Sequence, residues 1–157
     1  EELILSAGFT PLRINGSKEY SKAEGFFPIN FCPYLKSIWE SLLRKETDLE
    51  AIVFTNSCDG MRRLFDTCKK YSNIHLFMLD VPKNKNSNSV NYFKYNLNNL
   101  IDFLNSLGKE KITSEKIQES IGAINKKRKG KELFFILSIC RKLWLFRVGS
   151  NGLFLWR

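Results

Sequence analysis

The apolar residues of this chain follow two spacings, short continuous runs and helical repeats. Residues 51–54 and 74–79 are apolar runs rich in β-formers, and residues 11–14 are a shorter run of the same kind, which predicts three strands. Between them, residues 33–44 and 59–70 place apolar side chains at i, i+3, i+4 and i+7, the spacing of helices with one buried face. The order strand, helix, strand, helix, strand predicts right-handed crossovers and a sheet of adjacent parallel strands.

Helices are also predicted on either side of this unit. Residues 1–7 have the pattern of the end of a helix, which Gly8 terminates. Two more amphipathic helices are predicted after an Asn-rich loop, the second of them opening at Thr113 or Ser114. Their apolar faces are Phe93, Leu97, Leu100, Ile101 and Leu104 in the first and Ile117, Ile121 and Ile124 in the second. The predicted fold class is α/β, a Rossmann-like three-layer parallel sheet domain with additional C-terminal helices.

The last part of the chain breaks this pattern. The apolar run 133–140 is interrupted by Arg141 and Lys142, and the residues that follow show no clean strand or helix period. The run is far shorter than the ~18 apolar residues that span a bilayer, so no transmembrane helix is predicted. We expect an N-terminal α/β domain over residues 1–108, incomplete at its start, a helical connector over 109–130 and an atypical tail over 131–157.

Composition excludes a disordered chain, and the charge distribution argues against nucleic-acid binding. Hydrophobic residues make up 43% and aromatic residues 13% of the 157 residues, enough for a real core. The net charge is +9, but residues 1–108 carry 13 Lys+Arg against 12 Asp+Glu, whereas residues 109–157 carry 12 against 4. The basic run 126–131 is typical of a solvated helix end or linker. Glu1 and the acidic first turn do not resemble a secretory signal, and we expect the chain to begin inside a longer protein.

Cysteine is the residue type that carries the most chemistry here. Four cysteines without paired short spacings or an export signal indicate a reducing compartment and reactive or ligand thiols, and a disulfide framework is the weaker interpretation. Cys58 lies where the strand 51–54 ends and a helix begins. Cys32 precedes Pro33, which suits the first helical position and makes Cys32 the predicted N-cap. Ligands bind at this edge of open α/β sheets, and helix N-termini favour thiolates, so the two cysteines predict one shared ligand.

Four segments of the chain resemble a known family. In order from Glu1 to about Arg128 they are EELILSAGFTPLRI, AEGFFPINFCPYLKSIWESL, IVFTNSCDGMRRLFDT and FMLDVPKN. They are similar to the N-terminal part of the 2-hydroxyacyl-CoA dehydratase component D and benzoyl-CoA reductase subunit family. The resemblance implies an oxygen-sensitive, cytoplasmic enzyme subunit of anaerobic metabolism whose cysteines hold a 4Fe-4S cluster beside an acyl-CoA thioester. Cys32 and Cys58 match the family's first two cluster ligands, and we expect their sulfurs to lie roughly 6–7 Å apart, within the width of a cluster.

The resemblance also implies a reaction and its partners. An ATP-dependent iron–sulfur activator protein injects one electron, the cluster passes it to the thioester carbonyl, and the resulting ketyl radical anion expels the hydroxyl group, so that the enzyme is a hydro-lyase. A second component D subunit would complete a homo- or heterodimer, with no nucleic acid and no membrane involved. The sequence has no Ser-His-Asp set, Gly-rich phosphate loop or His-rich zinc set. A whole helix and strand separate Cys32 from Cys58, which is unlike a zinc ribbon.

Three interpretations are open at this point. The chain is a dehydratase subunit, a benzoyl-CoA-reductase-like or double-cubane reductase subunit, or an inactive fragment or interaction module. A family member would continue into a second α/β domain that typically supplies the third cluster cysteine, and the resemblance ends near residue 130. We therefore expect the chain to be truncated relative to the family, its tail to be a premature or frame-shifted ending, and the isolated fragment to be inactive.

The remaining reactive side chains have ordinary structural interpretations. Cys68 completes the apolar face of its helix and is predicted to lie in the core with Leu64 and Phe65. Cys140 falls in the atypical tail and is not assigned as the third ligand. His75 begins a strand and matches no His-containing motif. Ser57 and Asp59 are predicted capping groups, Arg62 and Arg63 exposed helix residues, and Glu24 has no assigned role.

Overall fold

A small sheet and several helices make up the part of the chain that the structure describes. The computed structural model describes residues 1–44, 48–108 and 110–128 in full and the backbone of 129 and 144–147. The elements in chain order are α1 (Glu2–Ser6), β1 (Thr10–Leu12), a 3-10 helix (Ala23–Phe26), α2 (Pro33–Leu43), β2 (Ala51–Thr55), α3 (Asp59–Tyr71), β3 (His75–Leu79), α4 (Ser87–Ser106), α5 (Ser114–Lys129) and β4 (Trp144–Arg147).

The sheet has the strand order β1-β4-β2-β3. β2 and β3 are parallel, with the register running from Ala51 opposite His75 to Thr55 opposite Leu79. This pair, with α3 as the connection between its strands, confirms the predicted βαβ unit. Both strands therefore end at the same edge of the sheet, which is the edge where Cys58 was expected.

The predicted adjacency of the first strand and β2 is wrong. β4 lies between them and pairs antiparallel with both, so the sheet is mixed and not parallel throughout. β4 belongs to the segment that was expected to be an atypical tail, because residues 143–157 show no clean strand or helix period. β1 is three residues long and contains Pro11, which has no backbone N–H to donate. A short strand with one donor missing suits the edge that β1 occupies.

The core lies on both faces of β2, whose five residues are all buried. Successive side chains of a strand point to opposite faces, and here Ile52 and Phe54 pack against α2 and α3, while Ala51 and Val53 pack on the other side against α1 and α4. The first cluster includes Leu35, Ile38, Trp39, Met61, Leu64 and Cys68, and the second includes Ile4, Ala7, Phe9, Leu100 and Leu104.

Most predicted helix boundaries agree with the structure, but one predicted face does not. α2 and α3 begin at Pro33 and Asp59 as expected, α5 begins at Ser114, and Gly8 adopts φ +80° after α1. In α5, Ile124 is buried and Ile121 is 42% exposed. The buried neighbour of Ile124 is the small polar Ser120, which a search for apolar periodicity overlooks.

A buried carboxylate connects α2 to the preceding 3-10 helix, which sequence analysis did not predict. Glu40 is fully buried, its Oε2 accepts a hydrogen bond from the Ala23 backbone N–H (2.9 Å), and its Oε1 accepts one from Arg44 Nε (2.9 Å). Burial by itself would raise the pKa of Glu40, but the hydrogen bonds from Arg44 and Ala23 outweigh it and hold the pKa below its ordinary value. An ionised Glu40 therefore helps to fix the chain that leads towards Cys32.

α5 packs against α1. The Arg128 guanidinium lies 3.0 Å from Glu1 Oε2 and 2.8 Å from Glu2 Oε1.

The division of the chain into residues 1–108, 109–130 and 131–157 stays a prediction, and most of the tail lies outside the described residues. None of the described helices has the length and apolar character needed to cross a membrane.

Candidate functional site

Cys58 occupies the turn between the end of β2 and the start of α3. It is the N-cap residue of α3, with an extended backbone, and its carbonyl oxygen accepts hydrogen bonds from the N–H groups of Met61 (3.2 Å) and Arg62 (3.4 Å). Its thiol makes no capping hydrogen bond and is exposed. The predicted position is confirmed: a free thiol stands at a helix N-terminus on the edge where the parallel strands end.

Cys32 has the equivalent position at the start of α2. It is the N-cap residue, Pro33 follows at the first helical position, and the Cys32 carbonyl oxygen accepts from the N–H groups of Leu35 and Lys36, both at 3.1 Å. The predicted N-cap position is confirmed, and the Cys32 thiol is free and exposed. Lys36 is buried and its Nζ donates to the Ile29 carbonyl oxygen (3.1 Å). This contact ties the loop before Cys32 to the first turn of α2.

Gly60 brings the two helix starts together. A Cβ atom added to Gly60 would lie 2.6 Å from Leu35 Cδ1, 3.9 Å from Phe31 Cε2 and 3.8 Å from Cys58 Sγ. The first turn of α3 therefore lies directly against the Leu35 side chain in the first turn of α2, and a side chain at position 60 would require Leu35 to shift. The fold thus brings the helix starts that carry Cys32 and Cys58 side by side, while the expected sulfur separation of roughly 6–7 Å stays a prediction.

A polar network lies beside Cys58. Asn56 Nδ2 donates to Asp80 Oδ1 (2.7 Å), the Asn56 side-chain oxygen accepts from Arg62 Nε, and Asp80 Oδ2 accepts from the Tyr92 hydroxyl (2.7 Å). The hydrogen bonds from Tyr92 and Asn56 hold the pKa of Asp80 below its ordinary value, and the Arg62 guanidinium acts in the same direction. Asn56, Asp80 and Tyr92 were not among the predicted site residues. The available signal was that Asn56 and Asp80 are the first polar residues after two adjacent parallel strands.

The other reactive residues occupy less suitable positions. Cys68 is fully buried in the core cluster with Leu64, as predicted, and burial raises the pKa of its thiol to about 12. His75 is exposed at the start of β3, and Cys140 lies outside the described residues.

The predicted capping groups of α3 are wrong, because its N-cap residue is Cys58 and neither Ser57 nor Asp59. Asp59 instead pairs with Arg63 (2.9 Å), which is exposed as expected. Glu24 is exposed in the 3-10 helix.

The donor set can be compared with the needs of a metal site. Across the described ranges, no three or more His, Cys, Asp and Glu side chains lie close enough together to hold a metal ion. Cys32 and Cys58 by themselves offer two soft thiol ligands at adjacent helix N-termini. Soft thiolates suit iron–sulfur clusters, so the two residues fit part of the ligand set of such a cluster.

Comparison with known proteins gives two findings. The sequence model of the family described as "2-hydroxyglutaryl-CoA dehydratase, D-component" matches residues 1–140. The chain is also 31% identical over 134 residues to a benzoyl-CoA reductase subunit of Thauera aromatica, an alignment that covers 82% of this chain and 35% of that protein. The chain therefore spans about a third of the length of that relative.

Proposed function

Because the chain belongs to the 2-hydroxyglutaryl-CoA dehydratase D-component family, we propose that it is part of a subunit of an iron–sulfur 2-hydroxyacyl-CoA dehydratase. In this proposal Cys32 and Cys58 are ligands of a 4Fe-4S cluster. The observation that carries the assignment is that both are free, exposed N-cap residues of two helices whose first turns are in contact.

The position of the two thiols supports the proposal on electrostatic grounds. A helix N-terminus has unpaired backbone N–H groups and the positive end of the helix dipole, and both attract negative charge. Two adjacent helix starts would also offset the negative charge of a thiolate-bound cluster. Cys68 has the opposite environment, because burial in the core keeps its thiol protonated. The environments of Cys32 and Cys58 therefore suit iron ligands, whereas the environment of Cys68 suits a core residue.

The residues of this chain would hold the cluster and shape its surroundings. When bound, the cluster supplies one-electron transfer that protein side chains cannot perform. Gly60 allows α2 and α3 to approach, and Lys36 holds the loop that precedes Cys32. The ligands beyond Cys32 and Cys58 would come from elsewhere in the protein, and we leave Cys140 unassigned.

The finer features of the family resemblance belong to the same proposal. The reaction would be the elimination of water from a 2-hydroxyacyl-CoA, a hydro-lyase reaction of anaerobic metabolism in the cytoplasm. The partners would be a second component D subunit, an ATP-dependent activator protein and the acyl-CoA substrate. The helices on both faces of β2 support a Rossmann-like three-layer arrangement for residues 1–108.

A reductase is the second candidate. The 31% identity to the benzoyl-CoA reductase subunit of Thauera aromatica favours it, and the same two cysteines would then serve a cluster that reduces an aromatic acyl-CoA. A screen of the full-length complex with its activator separates the two candidates. Loss of water from 2-hydroxyacyl-CoA esters supports the dehydratase, and reduction of benzoyl-CoA without such activity supports the reductase.

Anaerobic reconstitution of the full-length protein tests the cluster ligands. We expect Cys32→Ser and Cys58→Ser each to abolish cluster binding, because an alcohol does not replace a thiolate as a ligand of iron. Cys68→Ala is the matched control and should retain wild-type iron and sulfide. Iron and sulfide analysis with absorption spectroscopy is the measurement, and a Cys58→Ser protein that binds wild-type iron would contradict the assignment.

A further inference from the structure

Two polar residues directly follow the parallel strands and bind each other. The register pairs Thr55 at the end of β2 with Leu79 at the end of β3, so Asn56 and Asp80 are the next pair across the ladder. The Asn56 backbone N–H donates to the Leu79 carbonyl oxygen (3.0 Å), and the Asn56 side-chain amide donates to Asp80 Oδ1 (2.7 Å). Side chains thus continue the pairing of the two strands beyond their last residues.

The amide of Asn56 has one orientation that satisfies all its neighbours. Its NH2 group faces the Asp80 carboxylate and its oxygen faces Arg62 Nε, while the Tyr92 hydroxyl donates to the other Asp80 oxygen (2.7 Å). Turning the amide over would place its oxygen against a carboxylate and its NH2 against a guanidinium. One side chain therefore connects the ends of β2 and β3 to the start of α3, and α4 contributes the Tyr92 contact.

Cys58 lies between the two points that this network holds. Asn56 is two residues before it and Arg62 four residues after it, and the Arg62 N–H donates to the Cys58 carbonyl oxygen. We propose that Asn56 and Asp80 are positioning residues that set where the chain bearing Cys58 leaves the sheet, an inference that rests on the proposed role of Cys58 as a cluster ligand. Ligands at a metal site need partners of this kind to hold their geometry.

An exchange of the two residues tests the pairing. Asn56→Asp alone places a carboxylate against Asp80, and the two like charges repel each other. Adding Asp80→Asn restores a complete set of contacts. The amide now at position 80 can donate to the carboxylate now at position 56 and accept from the Tyr92 hydroxyl, and Arg62 can donate to that carboxylate. Arg63→Gln is the matched control, since it changes the net charge by the same amount as Asn56→Asp. Arg63 is exposed on α3 next to Arg62, but it pairs with Asp59 and not with the network.

The first measurement is amide hydrogen exchange in the full-length protein without its cluster. We expect residues 56–62 to exchange at least about fivefold faster in Asn56→Asp, the factor that corresponds to one lost hydrogen bond. The double variant should return to about the wild-type rate. In Asn56→Asp the start of α2 around Cys32 should exchange as in wild type, whereas a general loss of stability would speed exchange there as well. Tyr92→Phe removes one hydrogen bond of the same network and should also make residues 56–62 exchange faster, so it serves as the test if Asn56→Asp does not fold.

Iron content after anaerobic reconstitution is the second measurement. We expect Asn56→Asp to bind less iron and the double variant to regain it, with Arg63→Gln at the wild-type level. Wild-type iron in Cys58→Ser would overturn the proposed function and with it the role of the network at the cluster. If Cys58→Ser loses iron but Asn56→Asp exchanges and binds iron like wild type, or if the double variant does not recover, the positioning role is wrong and the ligand assignment stands.

Discussion

Glu40 is a carboxylate that the folded chain buries and keeps ionised. Its contacts with the Ala23 N–H and with Arg44 hold its pKa below the ordinary value of 4.5. Ionised Glu40 therefore stabilises the fold above about pH 4.5, and this contribution is lost as the pH falls through the lower pKa of the folded state. Because Glu40 connects α2 to the 3-10 helix, acid should loosen the segment that leads to Cys32.

We expect Glu40→Gln to lower the free energy of unfolding at neutral pH. The change removes the charged acceptor for Arg44 and turns an NH2 group towards a donor, at a cost of about 1–3 kcal/mol. The variant should also lose less stability than wild type on acidification below about pH 4.5, because it has no proton to bind at this position. Urea unfolding across this pH range is the measurement. Glu24→Gln, at an exposed position, is the control, and the same pH dependence in all three proteins would contradict the assignment.

The three described cysteines occupy two different environments. Cys32 and Cys58 are exposed N-caps, whereas Cys68 is buried with its pKa raised to about 12. All three placements could be predicted from the sequence, because they depend on local helix spacing. The pairing of Asn56 with Asp80 was not predicted, because the two residues are 24 positions apart and meet only where β2 and β3 are neighbours in the sheet.

At the scale of elements, the contact between α2 and α3 depends on Gly60. We expect Gly60→Ala to lower the free energy of unfolding by about 1–3 kcal/mol, because its methyl group would overlap buried Leu35. Alanine is the better helix former, so a net loss would come from packing. Chemical denaturation is the measurement.

Gly122→Ala in α5 is the matched control for this change. A Cβ atom there meets no atom within 4 Å, so we expect a gain of about 0.5–1 kcal/mol from helix propensity alone. If Gly60→Ala is stabilised to the same extent as Gly122→Ala, the two helix starts are not in close contact and the shared-ligand geometry loses its support.

At the scale of the whole molecule, β4 decides the order of the sheet. Among the described residues, β1 pairs only with β4, and β4 also covers one edge of β2. We expect a chain ending at residue 143 to unfold at lower denaturant concentration than one ending at residue 147, and to self-associate, because open strand edges pair with other chains. Denaturation and size-exclusion chromatography are the measurements. Identical behaviour of the two chains would show that β4 does not contribute to the sheet in solution.

The sequence by itself determined the features that depend on neighbouring residues. The spacing of apolar side chains predicted α2, α3, β2 and β3, Cys-Pro predicted the N-cap at Cys32, and four local segments indicated the family that matches residues 1–140. Only the tertiary structure decided which surfaces meet: β4 between β1 and β2, Gly60 against Leu35, Glu40 under the 3-10 helix and Asn56 beside Asp80. The physical reason is range. Periodicity and capping act over one or two turns of chain, whereas strand order and buried polar pairs depend on distant residues that become neighbours only when the core forms.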